Sequence, residues 1–505
     1  MNNRPSTRGA PCSRRDFLAS SCGALFSQIA LARLALPGET TPERTGNAGA
    51  ADPGGKIAPA GPGSKYAPRL KAAFVRRKED YGILWPGAIY DGKAALAKYK
   101  SQMEARAREL GMKLALREDP IHSLAEADAW IAEARSERPD GLMVVLLDRQ
   151  QHAWPTAAKA ADSRIPTVVY APIGAAFTTN TAGLARKDGV FIASTDDFSQ
   201  AAYGMKMIQA AAKLREMRFI VIQGEDRKDA LLEPFGTKLR YVPARWFLQE
   251  YEKTPLTEEI RAMAAAYVKD ATRLSGPTEE DVRAGIKSFV VARQFLQREE
   301  GDGITMDCLG ALGQTKVSLP CIAWSKMLDH GIPAACEADL GAAVTHALVQ
   351  LLFDRPGFQQ DPVPETAREC LIGAHCTCPT RLNGFSKPPE PFDLSHHHGK
   401  RDAVPRPLWR VGQRITVADV VLDGKADSLP KGAEKPPEMI ISTGTVVENI
   451  SVPPSGGCVV SVMAKIDGVT DFLDYPGFHQ LFFYGDFKKE LVAYSRLFGI
   501  KPVVV

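Results

Sequence analysis

Hydrophobic positions follow two alternating spacings from residue 69 to about residue 324. Short runs rich in branched aliphatic side chains predict strands, and stretches with a hydrophobic residue every three or four positions predict helices between them. The predicted strands are 70–75, 113–116, 141–147, 166–170, 190–193, 218–223, 303–306 and 320–324. The predicted helices are 92–110, 124–134, 153–161, 199–214, 256–268 and 278–298. Repeated strand–helix–strand units favour parallel sheets with helices on both faces, so we expect two successive α/β domains.

The pattern changes after about residue 355, where prolines recur through residue 407. Segments 414–422, 438–447, 458–466 and 481–484 alternate apolar and polar side chains as strands do, and a helix is predicted over 488–497. This pattern predicts a β-rich C-terminal domain with antiparallel, barrel-like pairing.

The N-terminal 65 residues differ from the rest. Arg14 and Arg15 precede a mostly apolar stretch over 24–36, so residues 1–36 resemble a twin-arginine signal for export to the periplasm or the exterior. A cytoplasmic location is the alternative. Residues 37–65 are rich in Pro, Gly, Ala and Thr and predict a disordered linker. The predicted domains are then 66–185, 186–330 and 331–505, in keeping with about 150 residues per domain.

Composition narrows the possible partners. The 505 residues are 45% hydrophobic and 24% charged, with a net charge of +4. Six arginines against three acidic residues in the first 50 positions account for three of these charges, so the body lacks the positive surface typical of nucleic-acid binding. No later stretch approaches 18 apolar residues, which predicts no stable membrane insertion once the signal is removed. No phosphate-binding loop or dinucleotide fingerprint occurs.

Three acidic residues follow apolar, strand-like runs: Asp307, Glu337 and Asp339. The carboxyl ends of strands face the ligand crevice in open α/β sheets, so these side chains are candidates for binding a divalent metal or for acid–base catalysis. The alternative for Asp339 is a cap on a helix over 340–352.

Histidines and cysteines offer further ligands. His479 precedes an apolar strand and lies close in sequence to several aspartates, and His375 ends another apolar run. Cys376, Cys378 and the histidines at 396–398 invite a zinc interpretation. The single residue between the cysteines is shorter than the usual zinc spacer, and the histidines fall in a proline-rich region, so a solvated or substrate-facing loop is favoured. The seven cysteines beyond residue 300 are odd in number, which favours buried thiols over a disulfide framework.

Several of these segments, in this order, resemble the L-fucose and L-arabinose isomerase family. They are the acidic turn at 332–339, the helix containing residues 350–352, residues 374–376, the segment WRVGQRITV at 409–417, Gly-Phe-His at 477–479 and Tyr-Gly-Asp at 484–486. The likeness covers residues 300–502 by motif and the preceding domains by architecture alone.

The resemblance implies two Rossmann-like (flavodoxin-like) parallel-sheet domains, a barrel-like C-terminal domain and a homo-oligomer. It implies aldose–ketose isomerisation of a fucose- or arabinose-like monosaccharide with a divalent metal, Mn²⁺ or else Mg²⁺. The metal would polarise O1 and O2 while carboxylates move a proton through an enediol. Asp339 and His479 match the family's metal ligands. Glu337 is the expected third ligand, with Glu337, Asp339 and Asp307 as catalytic candidates.

His375 and Trp409 are the expected substrate-binding residues on the same resemblance. One position departs from the family, because Ala311 stands in the segment 308–312 where the family carries a catalytic glutamate. Because of this departure, a non-catalytic exported sugar-binding or sensor protein on the same scaffold is an alternative function. A two-lobed solute-binding protein is a third interpretation, but it leaves the β-rich C-terminal part without a role.

Overall fold

The structure is a computed structural model that describes residues 57, 59–79, 91–149, 152–397, 401–422, 436–450 and 458–505. By its internal contacts the chain divides into the units Met1–Ala48 and Gly49–Val505, and the description below concerns the second. The predicted export signal lies outside the described residues. No helix in the described ranges is both long and apolar enough to cross a membrane.

The first sheet has five parallel strands in the order β2-β1-β3-β4-β5. Its strands are β1 (Arg69–Val75), β2 (Lys113–Leu116), β3 (Gly141–Leu146), β4 (Thr167–Ala171) and β5 (Val190–Ser194). The helices in this part of the chain are α1 (Pro62–Lys65), α2 (Gly92–Glu109), α3 (Leu124–Glu137), α4 (Ala153–Ala161) and α5 (Thr178–Thr181). Every strand predicted here is present, and β2 and α4 have the predicted bounds.

The end of the predicted disordered linker is ordered. The carboxylate of Asp302 accepts hydrogen bonds from the backbone N–H groups of Gly63 at 2.9 Å and Ser64 at 2.8 Å, and these hold α1 in place. Composition alone did not reveal this order, because the anchoring residue lies more than 230 positions away.

The second sheet has five strands in the order β11-β10-β6-β8-β7, parallel except for the β7–β8 hairpin. Its strands are β6 (Arg218–Ile222), β7 (Lys228–Leu232), β8 (Thr237–Val242), β10 (Gly303–Met306) and β11 (Ala334–Cys336). The accompanying helices are α6 (Phe198–Glu216), α7 (Ala244–Lys253), α8 (Glu258–Asp270), α9 (Glu279–Arg298), α10 (Cys308–Leu312), α11 (Cys321–Asp329) and α12 (Leu340–Phe353).

The strand predicted at 320–324 is wrong, because these residues begin helix α11. All positions from Cys321 to Leu328 are buried, and a helix that is buried on every side shows the same continuous apolar run as a buried strand. Pro320 at the N-cap position fits a helix start.

The C-terminal part forms a closed antiparallel barrel of six strands, which confirms the predicted barrel-like architecture. Its strands pair in the order β16-β19-β12-β13-β18-β17, and β17 returns to β16. They are β12 (Phe358–Glu365), β13 (Cys370–His375), β16 (Arg414–Val421), β17 (Glu438–Ile450), β18 (Val460–Ile466) and β19 (Gln480–Tyr484). Helix α13 (Lys488–Leu497) and strand β20 (Lys501–Val504) follow, while β9 (Arg273–Ser275), β14 (Phe392–His397) and β15 (Arg401–Pro407) form a separate small sheet.

Strand β12 escaped prediction because it contains Pro362 and Pro364. Its first three residues pair with β19, whereas residues 361–365 pair only with β13. Proline is tolerated at a strand edge because its missing N–H then faces no partner. A single-sequence pattern cannot show that half of a barrel strand is such an edge.

Helix α12 lies between the second sheet and the barrel. Its buried side chains share one apolar cluster with β6 residues such as Phe219 and with barrel residues such as Leu481 and Phe483. At its N-terminal side, Gln359 of β12 accepts from the backbone N–H of Cys336 at 2.9 Å and donates to the carbonyl of the same residue at 3.5 Å. The end of β11 is therefore fixed against the barrel.

The Gln359–Cys336 contact yields a stability prediction. In Gln359→Leu the buried N–H of Cys336 loses its partner, while its carbonyl keeps the hydrogen bond from the N–H of Asp339 at 3.2 Å, so the free energy of unfolding should fall by about 1–3 kcal/mol. Urea-induced unfolding followed by circular dichroism measures this. The same change at exposed Gln200, on α6, should alter stability by less than about 0.5 kcal/mol. Equal losses in both variants would contradict the bridging role of Gln359.

Candidate metal centre

A tight turn places two acidic residues at the carboxyl end of β11. Glu337 and Ala338 both adopt left-handed backbone conformations, with φ of 61° and 55°. Such conformations cost roughly 1–2 kcal/mol each in non-glycine residues and persist only where the surroundings hold them. Here the N–H of Ala338 donates to the carbonyl of Met306 on β10 at 2.9 Å. The turn brings Glu337 to the edge of the sheet that faces the barrel.

Asp339 performs two tasks with its two oxygens. Oδ1 accepts from the backbone N–H of Ala342 at 2.8 Å, which confirms the capping interpretation for α12. Oδ2 accepts from Nδ1 of His479 at 2.9 Å. Burial favours the neutral carboxyl, but these hydrogen bonds outweigh it and hold the pKa of Asp339 below its usual value.

His479 occupies the turn before β19, also in a left-handed conformation with φ of 53°. Because its Nδ1 contacts the Asp339 carboxylate, Nε2 is the ring nitrogen that faces the other acidic side chains. Nε2 lies 3.3 Å from Oδ1 of Asp361 and 3.6 Å from Oε2 of Glu337. Although these distances suit ion pairs, neither Nε2 of His479 nor Oδ1 of Asp361 makes a hydrogen bond, and both atoms are buried. Two buried acceptors that face each other in this way leave room for a positive charge between them.

Asp361 is the candidate site residue that sequence reasoning missed. It lies in the middle of β12, directly before Pro362, and its own residue type was the only available signal. Its position opposite His479 follows from barrel closure, which brings β12 beside β19.

His375, the last residue of β13, completes the group. Its Nε2 is 3.8 Å from Oε1 of Glu337, and its ring stands edge-on to that of His479 with centroids 5.4 Å apart. Burial lowers the pKa of His375, but the negative charges of Cys376, Asp361 and Glu337 outweigh burial and raise it to about 9.

The centre is buried on one side and exposed to solvent on the other. The side chains of His375 and His479 are 2% and 6% exposed, whereas those of Glu337 and Asp361 are 35% and 32% exposed. A ligand can therefore reach the carboxylates while the imidazoles remain packed in the protein.

Asp419 of β16 stands behind the histidine turn. Burial, together with the nearby charge of Asp339, raises the pKa of Asp419 to about 7. Its carboxylate accepts from the backbone of Phe478 and lies where a side chain on Gly477 would fall, 3.0 Å from an added Cβ. Asp419 thus packs against the Gly-Phe-His turn that carries His479.

Two residues expected at the site do not join this group. Asp307 caps the short helix α10, with Oδ1 accepting from the N–H of Gly310 at 3.1 Å. Trp409 is 2% exposed and packs inside the barrel against Phe358, Phe482 and Tyr484. The catalytic role of Asp307 and the substrate-binding role of Trp409 stay predictions.

The expectation of a solvated histidine run is wrong at His397. This residue ends β14, pairs with Arg401 of β15 and is only 5% exposed. Position 398 lies outside the described residues. All seven cysteines of the body are free thiols, and six of them are buried.

The described residues contain three groups of His, Cys and Glu side chains that could hold a metal ion, each with ligand atoms within 4.8 Å of one another. They are Glu337, His375 and His479; Cys336, His375 and Cys376; and Cys321, Cys376 and His397.

Comparison with known proteins adds no family assignment. No protein-family model matches the chain, and no curated protein matches it.

The raised pKa of Asp419 predicts a pH-dependent stability. Between about pH 4, the unfolded value, and pH 7 the folded state binds more protons at Asp419, so this residue lowers stability as the pH rises through that window. Asp419→Asn removes the effect. We expect the free energy of unfolding of the variant minus that of the original chain to increase by roughly 1–4 kcal/mol between pH 4 and pH 7. Urea unfolding in the presence of a chelator measures both values.

Asp467→Asn is the matched control. The Arg414 guanidinium holds the pKa of Asp467 below its usual value, so its titration lies below pH 4 and its stability difference should be flat over the same window. Parallel curves for the two variants would contradict the role of burial at Asp419.

Proposed function

We propose that this chain is a sugar isomerase-like protein that binds a divalent metal ion through Glu337, Asp361 and His479 and interconverts an aldose and a ketose. One observation carries the proposal. Nε2 of His479 and Oδ1 of Asp361 are buried, 3.3 Å apart and without hydrogen bonds. Such an arrangement is costly unless a proton or a metal ion lies between the two atoms, and we assign that place to the metal.

The donor set supports a hard, six-coordinate ion. Neighbouring ligands of an octahedral ion at about 2.1 Å stand about 3 Å apart, close to the 3.3 Å and 3.6 Å separations around His479. Two carboxylates and one imidazole suit Mn²⁺ or Mg²⁺. Asp339, expected from the sequence as a ligand, instead supports the metal by orienting His479, since a hydrogen bond to the second ring nitrogen fixes the ligating one.

The side chains around the carboxylates fit proton transfer between C1 and C2. When bound, the metal would polarise the sugar oxygens. Glu337 can take a proton from carbon on one of its oxygens, because a third of its side chain is exposed to an incoming substrate. His375, whose pKa is about 9, stays protonated near neutral pH and places a positive charge 3.8 Å from Oε1 of Glu337 on the buried side.

The fold supports the proposal at a coarser level. The two sheets that precede the barrel are interpreted as Rossmann-like domains, with the candidate centre at the carboxyl ends of β10 and β11 where such sheets bind ligands. The boundaries at 185/186 and 330/331, the homo-oligomer and export by the twin-arginine route belong to the same proposal.

Ala311 favours a second candidate, a non-catalytic exported sugar-binding or sensor protein. It lies on α10, where the resembled family carries a catalytic glutamate, and its methyl group cannot move a proton. In this candidate the metal centre recognises a sugar without converting it.

Metal binding tests the centre directly. Asp361→Asn and His479→Gln should each weaken Mn²⁺ binding at least tenfold, and Asp339→Asn by about 10–100-fold through the misoriented imidazole. Titration calorimetry on chelator-treated protein measures this. Asp307→Asn, which also removes one carboxylate from a strand end, should bind Mn²⁺ unchanged. Equal affinity in all four variants would refute the centre.

Turnover distinguishes the two functions. Mn²⁺-loaded protein incubated with fucose- and arabinose-like aldoses and their ketoses should interconvert a pair, as seen by NMR, and Glu337→Gln should lower the rate at least a hundredfold. Saturable sugar binding without interconversion would favour the sensor. Deuterium from solvent incorporated at C2 during turnover would support proton transfer through an enediol.

A further inference from the structure

A second group of metal-binding side chains lies next to the carboxylate centre and is used by nothing described so far. Cys321 is the first residue of α11, Cys376 directly follows β13, and His397 ends β14. Their exposures are 2%, 6% and 5%. Three elements that are distant in sequence thus deliver two thiols and an imidazole to one buried point.

The three ligand atoms fit a single ion. The sulfurs of Cys321 and Cys376 and a ring nitrogen of His397 all lie within 4.8 Å of one another. With metal–sulfur bonds of about 2.3 Å and metal–nitrogen bonds of about 2.0 Å, ligands of one tetrahedral ion stand about 3.5–3.8 Å apart, so a small inward movement closes the site.

Another thiol lies beside this group. The thiol of Cys336, at the end of β11, hydrogen-bonds to Cys376 and forms a neighbouring group with Cys376 and His375. Cys376 therefore stands between two cysteines, and His375 also lies against it at 3.5 Å. Isolated buried cysteines behave as small hydrophobic side chains, as Cys370 does with its thiol on the carbonyl of Arg368. Convergence of several thiols and an imidazole is the pattern of a closed structural metal site.

We propose that Cys321, Cys376 and His397 bind a thiophilic d¹⁰ metal ion, Zn²⁺ or Cu⁺, that links α11, β13 and β14. Zn²⁺ would need a fourth ligand, for which the Cys336 thiol beside Cys376 would have to turn toward Cys321 and His397, whereas Cu⁺ is satisfied by the softer three-ligand set. The site is closed to solvent, so its role is structural: it fixes the end of β13, which carries His375 into the carboxylate centre.

The two centres select different ions. Oxygen ligands dominate at Glu337 and Asp361 and favour Mn²⁺ or Mg²⁺, whereas thiolates favour soft ions. Sequence spacing could not reveal the second centre. Its two cysteines are 55 positions apart in the sequence. Cys376 and Cys378, the Cys-x-Cys pair, do not act together, because Cys378 lies in the apolar interior of the barrel.

The full chain, reduced with a phosphine and freed of metal by chelation, provides the test. One equivalent of Co²⁺, as a spectroscopic substitute for Zn²⁺, should produce thiolate-to-metal charge-transfer absorption, and a separate titration with Cu⁺ distinguishes the two ions by affinity. X-ray absorption of the Zn²⁺-loaded protein should show sulfur neighbours at about 2.3 Å. The proposal is overturned without any variant if the Zn²⁺ of the wild-type protein has oxygen and nitrogen neighbours only, or if the protein neither gives a Co²⁺ charge-transfer band nor binds Cu⁺.

Variants locate the site. Cys321→Ser, Cys376→Ser and His397→Gln should each weaken soft-metal binding at least tenfold and abolish the metal-induced rise in thermal midpoint. Cys370→Ser, an equally buried cysteine outside the group, should retain both. Cys321→Ser should still bind Mn²⁺ as the original chain does, so failure here is distinguishable from failure of the carboxylate centre. A Cys376 disulfide to Cys321 or Cys336 in the protein as purified, before reduction, would also refute the site.

Discussion

The hydrogen bond from His479 to Asp339 is the contact on which the candidate centre depends. It spans 2.9 Å and joins residues 140 positions apart, one at the start of α12 and the other at the mouth of the barrel. Asp339 caps the helix with one oxygen and contacts Nδ1 of His479 with the other, so the helix start and the orientation of Nε2 of His479 are fixed together. The strained turns at Glu337 and at His479 are stable because this bond and the surrounding packing hold both.

Packing of α12 brings these turns together. The helix is buried along nearly its whole length between the second sheet and the outer face of the barrel, with which it shares one apolar cluster. Gln359 joins the end of β11 to β12 at the same junction. Because interiors are close-packed, such a contact leaves little freedom for the two strand ends to separate. The packing between the second sheet and the barrel therefore fixes the positions of Glu337 and Asp361 relative to each other. Neither the sheet nor the barrel fixes them alone.

Neighbouring residues at this junction belong to chemically different groups. Cys336 and Glu337 follow each other at the end of β11, and His375 and Cys376 do so at the end of β13. The oxygen-rich group reaches solvent through its carboxylates, while the sulfur-rich group is enclosed in apolar surroundings. The ends of β11 and β13 therefore contribute to two groups: a solvent-accessible group suited to chemistry and a buried group suited to structural support. His375 belongs to both environments, since it lies between the two groups.

Local pattern was sufficient for much of the fold. Hydrophobic periodicity located the strands of the first sheet, helices such as α9 and the late strands β16 to β19, because these elements carry their period in contiguous residues. Residue type and position next to a strand-like run likewise identified Glu337, Asp339 and His479. The tertiary structure alone decided which partners these residues meet. Barrel closure supplied Asp361 from a proline-containing strand, long-range packing turned the segment at 320–324 into a helix, and convergence of Cys321, Cys376 and His397 created a group without any sequence spacing. Each of these depends on contacts between residues far apart along the chain, and such contacts leave no period in the sequence.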